Sequence, residues 1–82
     1  MTYIHDSSII APSVEISDDV YIGPNCTIGF PTYKYRKDNL AIKKCKPVII
    51  GKGSNIMGNS VICEGTVIGE KCILDYHSYI TL

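Results

Sequence analysis

Nowhere in this 82-residue chain do apolar residues run on for the ~18 positions that a membrane-spanning helix needs. The opening Met1-Thr2-Tyr3-Ile4-His5-Asp6 lacks the basic region and apolar run of a signal peptide. Four cysteines are present but no CxxC pair. That removes a disulfide framework from consideration and points to a reduced, cytoplasmic protein. The two histidines, His5 and His77, stand far apart and without ligand spacing, so no metal is expected. The chain also has no phosphate-binding GxxxxGKS/T loop, no GxSxG nucleophile turn and no recognised nucleic-acid motif. Nucleic acid and membrane are therefore not among the expected partners.

What the chain does have is a period. Isoleucine or leucine recurs every six residues, at Ile4, Ile10, Ile16, Ile22 and Ile28, then at Ile50, Ile56, Ile62, Ile68, Leu74 and Ile80. Four positions later a small or β-branched residue follows: Ser8, Val14, Val20, Cys26, Ser54, Ser60, Thr66, Cys72 and Ser78. A period of six fits neither a helix of about 3.6 nor the two-residue alternation of a strand. It is the spacing of the hexapeptide β-helix, in which each hexad is one short strand and one turn. Turn formers fill the intervening positions, as in Gly23-Pro24-Asn25, Gly51-Lys52-Gly53 and Gly69-Glu70-Lys71. An antiparallel sandwich has no reason to hold a six-residue phase across an insertion.

Three hexads, or about eighteen residues, close one triangular coil, and coils stack about 4.8 Å apart. Counted this way, one face stacks Ile4, Ile22, Ile50 and Ile68, and a second stacks Ile10, Ile28, Ile56 and Leu74. The third stacks Ile16, Ile62 and Ile80, with the hexad of Lys44 filling the gap, Lys44 bent outward and Val48 on the small inward column. About ten residues, 34–43, then form a loop inserted at a corner after the second coil. About four coils and this loop account for the whole length as one domain, 1–82. Six of the eight basic residues lie between Lys34 and Lys46 with a single acid, a local charge of +5 against −5 elsewhere. Such clustering suits an anionic ligand, or simply a solvated loop.

The stretch from Pro47 to Leu74, which opens Pro47-Val48-Ile49-Ile50-Gly51-Lys52-Gly53-Ser54, resembles the Ile-Gly-x-x-x-x-Ile-Gly run of the hexapeptide-repeat acyltransferases. The opening Ile4-His5-Asp6-Ser7-Ser8-Ile9-Ile10-Ala11-Pro12-Ser13-Val14 is similar to the first coil of many sugar acetyltransferases. The resemblance implies an all-β fold, a single-stranded left-handed parallel β-helix, which departs from the right-handed crossover rule. It implies a homotrimer with the active site between neighbouring prisms, and an extruded loop that reaches toward the neighbour's site. It further implies transfer of an acyl group, with acetyl-CoA as donor, to a hydroxyl or amine of a sugar, nucleotide-sugar or similar small acceptor, with a histidine as general base. Members commonly continue for several more coils and a C-terminal helix. The chain stops at Leu82, just after Ile80, so an N-terminal portion or a short form is the expectation. A γ-class carbonic anhydrase shares the fold but needs three zinc-binding histidines. An ice-binding β-helix would show a Thr-x-Thr ladder, and the chain has neither.

His77, in Leu74-Asp75-Tyr76-His77-Ser78-Tyr79-Ile80, is the candidate catalytic residue. It sits on the turn side of its hexad and faces outward, and imidazole suits the removal of a proton from an incoming hydroxyl or amine. The other reading is a surface turn histidine. Some sugar and archaeal-type family members carry a Gly-His-Asn turn in a similar late hexad; here the glycine is absent and the histidine is displaced by one position. Asp75 is placed to orient the ring if the turn brings the two together. His5 reads as a solvated end residue. In the basic segment, Tyr35, Arg36 and Lys37 are the candidate substrate-binding residues, the cations for phosphates and the tyrosine for a base or sugar ring. Asparagine at Asn55 and Asn59 reads first as a relief of left-handed backbone and second as a substrate contact. The leading expectation is direct CoA-dependent acyl transfer with no covalent enzyme intermediate. The alternative, from another class, is a non-catalytic trimerisation or scaffold module.

Overall fold

The computed structural model describes residues 1–30 and 46–80. Within them lie eleven short strands: β1 (Tyr3–Ile4), β2 (Ile9–Ile10), β3 (Glu15–Ile16), β4 (Tyr21–Ile22), β5 (Thr27–Phe30), β6 (Ile49–Ile50), β7 (Asn55–Ile56), β8 (Val61–Cys63), β9 (Val67–Ile68), β10 (Ile73–Leu74) and β11 (Tyr79–Ile80). All pair in parallel, and they form three sheets in the orders β1-β4-β7-β10, β2-β5-β8-β11 and β3-β6-β9. This is the parallel β-helix expected from the six-residue phase, a triangular prism of about four coils.

The register corrects the assignment of faces. Ile4 pairs with Ile22, then Ile56 and Leu74; Ile10 pairs with Ile28, then Ile62 and Ile80; Ile16 pairs with Ile50 and Ile68. Every aliphatic after the insertion is therefore one face away from where a hexad at Lys44 would put it. The place given to that hexad belongs to Ile50, the next rung after Ile28. These two lie 22 positions apart where one hexad is six. The phase is thus interrupted by sixteen residues, a stretch that contains 34–43. Lys44 and the candidates Tyr35, Arg36 and Lys37 lie outside the described residues.

The core is one aliphatic column per face. Ile22, Ile28, Ile50, Ile56 and Ile62 are fully buried, whereas Ile4, in the first coil with a neighbour on one side only, is 38% exposed. The second inward column sits nearer the corners, where space suits small side chains: Val20, Cys26, Val48, Ser54 and Ser60 are all buried. Its hydroxyls act as internal stitches. Ser54 Oγ donates to the Gly69 carbonyl (2.7 Å) and accepts from Cys72 N–H (3.1 Å); Ser8 does the same with Gly23 (2.6 Å) and Cys26 (2.9 Å). Thr66 and Ser78 close their own corners on the Cys63 and Asp75 carbonyls. The hydroxyls of this column are tolerated because each is paired, whereas Ser13 Oγ, outside the column, is buried without a partner.

At the corners the chain turns through left-handed backbone. Positive φ recurs at the third residue after the buried aliphatic: Asp19, Asn25, Gly53, Asn59, Gly65, Lys71 and His77, between 55° and 78°. Each of Gly53, Asn59, Gly65, Lys71 and His77 donates its N–H to a corner carbonyl of the preceding coil, those of Asp18, Pro24, Lys46, Lys52 and Gly58. Gly51 is required for a different reason. A Cβ there would lie 2.5 Å from the backbone of Gly69.

Deleting a mid-prism aliphatic removes contacts on both sides. Ile56→Ala should lower the unfolding free energy by about 2–5 kcal/mol, and Ile4→Ala by clearly less, as read from chemical denaturation. Equal losses would contradict the stacked core.

Candidate functional site

The prism has three corners, and sequence-predicted residues fall on two of them. The first corner joins the β1-β4-β7-β10 sheet to the β2-β5-β8-β11 sheet and comprises residues 5–8, 23–26, 57–60 and 75–78. His77 lies here, exposed, at φ 61°, with its N–H on the Gly58 carbonyl at 3.1 Å. In the coils before it the same place is held by Asn59, whose N–H bonds the Pro24 carbonyl at 2.9 Å, and by Asn25, whose N–H bonds Ser7 Oγ at 2.9 Å. Left-handed backbone favours Asn, Asp and His among non-glycine residues, so His77 satisfies the turn while its ring projects from the corner. Asp75 does not orient that ring. Its Oδ1 accepts from Tyr76 N–H at 2.8 Å, and its carbonyl takes the hydroxyls of Ser60 and Ser78.

His5 proves to share this corner, three coil steps from His77, or roughly 14 Å at the usual strand spacing. Its Nδ1 accepts both the backbone N–H of Ser7 (3.1 Å) and the Ser7 hydroxyl (2.9 Å). Sequence reasoning set His5 aside as an end residue. The signal that both histidines share a corner was the coil register, which a miscounted insertion hides.

The second corner carries the insertion. Phe30 O accepts Glu64 N–H (3.0 Å), while Lys46 donates its N–H to Glu64 Oε1 (2.9 Å) and accepts from Gly65 N–H (3.1 Å). The chain thus leaves and re-enters at one turn, residues 63–66 of the following coil. Within one prism the root of the insertion and His77 stand on different corners. Between them runs the outer face of the β2-β5-β8-β11 sheet, with Ile9, Thr27, Val61 and Tyr79 in register. Cys26 and Cys63 are buried free thiols; Cys26 Sγ donates to the Met57 carbonyl at 3.3 Å.

The third corner is charged, with Asp18 and Asp19, Lys52, and Glu70 and Lys71 on successive coils. The hydrogen bond from the N-terminal amine, and then its charge, hold the Asp19 carboxyl below the ordinary aspartate range; Lys52 adds to this and desolvation opposes it. A lowered folded-state value stabilises the fold above the unfolded aspartate range, and that contribution disappears as pH falls through the lowered value. The pair is exposed, so the effect is small. N-terminal acetylation should return the Asp19 titration, followed by carboxyl carbon shifts, to the ordinary range; an unchanged titration would rule out the amine as the cause.

A parallel β-helix wound by hexads defines a class. Residues 1–33 and 47–81 match the bacterial transferase hexapeptide family (six repeats), and the chain belongs to that family, whose β-helix is left-handed. Among curated proteins it is similar to an acyl-[acyl-carrier-protein]–UDP-N-acetylglucosamine O-acyltransferase of Psychrobacter sp. (strain PRwf-1), with 33% identity over 76 residues, 88% of this chain and 26% of that protein. It is 39% identical over 75 residues to the protein of the same name from Thermodesulfovibrio yellowstonii, covering 90% of this chain and 22% of the relative. The chain therefore spans about a quarter of the length of these relatives. No solved structure matches it significantly.

Proposed function

We propose that the protein transfers an acyl group from a thioester donor to a hydroxyl or amine of a sugar, most favourably a nucleotide-sugar, with His77 as general base. One observation carries the reading: in a chain of the hexapeptide transferase family, the corner facing solvent in the last described coil presents an imidazole where the two preceding coils present asparagine. The imidazole takes the proton of the acceptor O–H or N–H as that atom attacks the thioester carbonyl. The C–S bond breaks as the tetrahedral intermediate collapses, and the imidazolium returns its proton to the departing thiolate. No enzyme nucleophile takes part.

The donor was expected to be acetyl-CoA. The names of the relatives specify an acyl-carrier-protein donor and UDP-N-acetylglucosamine as acceptor, and both thioesters fit the same chemistry. A homotrimer completes the proposal. His77 and the root of the basic insertion stand on different corners of one prism, which favours, in this proposal, a role for Tyr35, Arg36 and Lys37 at the His77 of a neighbouring copy.

His77→Asn is the decisive variant, because asparagine already occupies this backbone position at Asn25 and Asn59. It should keep the thermal midpoint and lower turnover by about a hundredfold or more, measured as thiol release with acetyl-CoA and with an acyl-carrier-protein donor. Full activity in this variant would leave His77 as a turn residue and put the base elsewhere; absence of turnover in the wild-type protein would favour the scaffold reading. Sedimentation equilibrium should give three times the chain mass; a monomer would remove the role assigned to the neighbouring copy.

A further inference from the structure

We infer that Asn59 orients the acceptor against His77, an inference that rests on the general-base reading of His77. The corners differ in what stands at the outward position. Along the first corner it is Ser7, Asn25, Asn59 and His77, a hydrogen-bonding side chain in every coil. Along the third it is Asp19, Gly53 and Lys71, and along the second it is Ser13 in the first coil and Gly65 in the third. Glycine at two of these places shows that the turn needs no side chain. The Asn59 carboxamide is exposed and, among the described residues, has no hydrogen-bond partner; the part of Asn59 that the turn uses is its N–H, on Pro24.

The register places Asn59 and His77 at matching positions of adjacent coils, with Tyr79 opposite Val61 and Ile80 opposite Ile62. The His77 N–H to the Gly58 carbonyl at 3.1 Å joins the two corners directly. Adjacent coils lie about 4.8 Å apart. Two hydrogen bonds of about 2.8 Å each can meet at one oxygen across that gap. An acceptor hydroxyl seated there gives its proton to the imidazole while its oxygen accepts from the carboxamide N–H. The carboxamide oxygen remains free to take a neighbouring hydroxyl of the same sugar, a pattern that an amide can satisfy and a lone donor or acceptor cannot. Asn25 lies one coil further from His77 and does not reach this oxygen.

The test titrates UDP-N-acetylglucosamine into the protein and follows the Asn59 side-chain amide and His77 ring signals by NMR. Both should shift together. Asn59→Gly, which suits the left-handed backbone, should raise the dissociation constant and the acceptor KM at least tenfold. The donor KM and the thermal midpoint should stay unchanged. Asn25→Gly makes the same change one coil away and should alter none of these. Unshifted Asn59 and His77 signals, or wild-type affinity in Asn59→Gly, would overturn the inference. If His77→Asn loses turnover while Asn59→Gly behaves as wild type, only the role of Asn59 fails. If His77→Asn keeps turnover, the general-base reading fails with it.

Discussion

Left-handed backbone at the corners is the constraint on which the rest of the prism depends. A coil of three two-residue strands has only four residues in which to turn and set the next strand back in register. From the corner at Asp19 onward, each described corner does this by placing one residue at φ near +60°, a region that costs most L-residues on the order of 1 kcal/mol. At Gly53, Asn59, Gly65, Lys71 and His77 the N–H of that residue bonds a corner carbonyl of the coil before it, and at Asn25 it bonds Ser7 Oγ, so hydrogen bonding continues through the corners as well as along the strands. With the corners tied, each aliphatic falls over its predecessor, and Ile22, Ile56 and their equivalents become fully buried. The inward hydroxyls of Ser54 and Ser60 complete the arrangement by taking carbonyls inside the corners.

The period of six was legible in the sequence because burial selects the same residue type at every rung. The identity of the faces was not, because period and phase are separate quantities. Lys44 lies six before Ile50, and Val48 does occupy the small inward column as expected. Nothing local distinguishes a last hexad of the insertion from a first hexad of the next coil. Only the pairing of Glu15 with Ile49 and Ile16 with Ile50 decides it. That one decision moves six aliphatics to a different face and brings His5 and His77 to one corner.

The candidate site was legible in part and for a clear reason. An outward histidine on a turn could be read from its distance to Leu74 and Ile80. The proposed orienting role of Asp75 could not be tested from spacing, and the carboxylate turns instead to the Tyr76 N–H. The proposed role of Asn59 was hidden because asparagine has a sufficient structural reason to be at a left-handed corner. Its relation to His77 emerges only when coils are laid over one another. Family membership supports acyl transfer as the kind of chemistry, and the names of the relatives specify an acyl-carrier-protein donor for those proteins.

The two ends of the insertion meet at the same turn, with Phe30 and Lys46 both bonded to Glu64 and Lys46 also to Gly65. Sixteen extra residues therefore leave the strand registry before and after them intact. The prism behaves at that corner like a socket whose fit is independent of what is plugged into it. The rungs on either side are held by these anchoring bonds and by their own pairing, not by the length of what lies between Phe30 and Lys46.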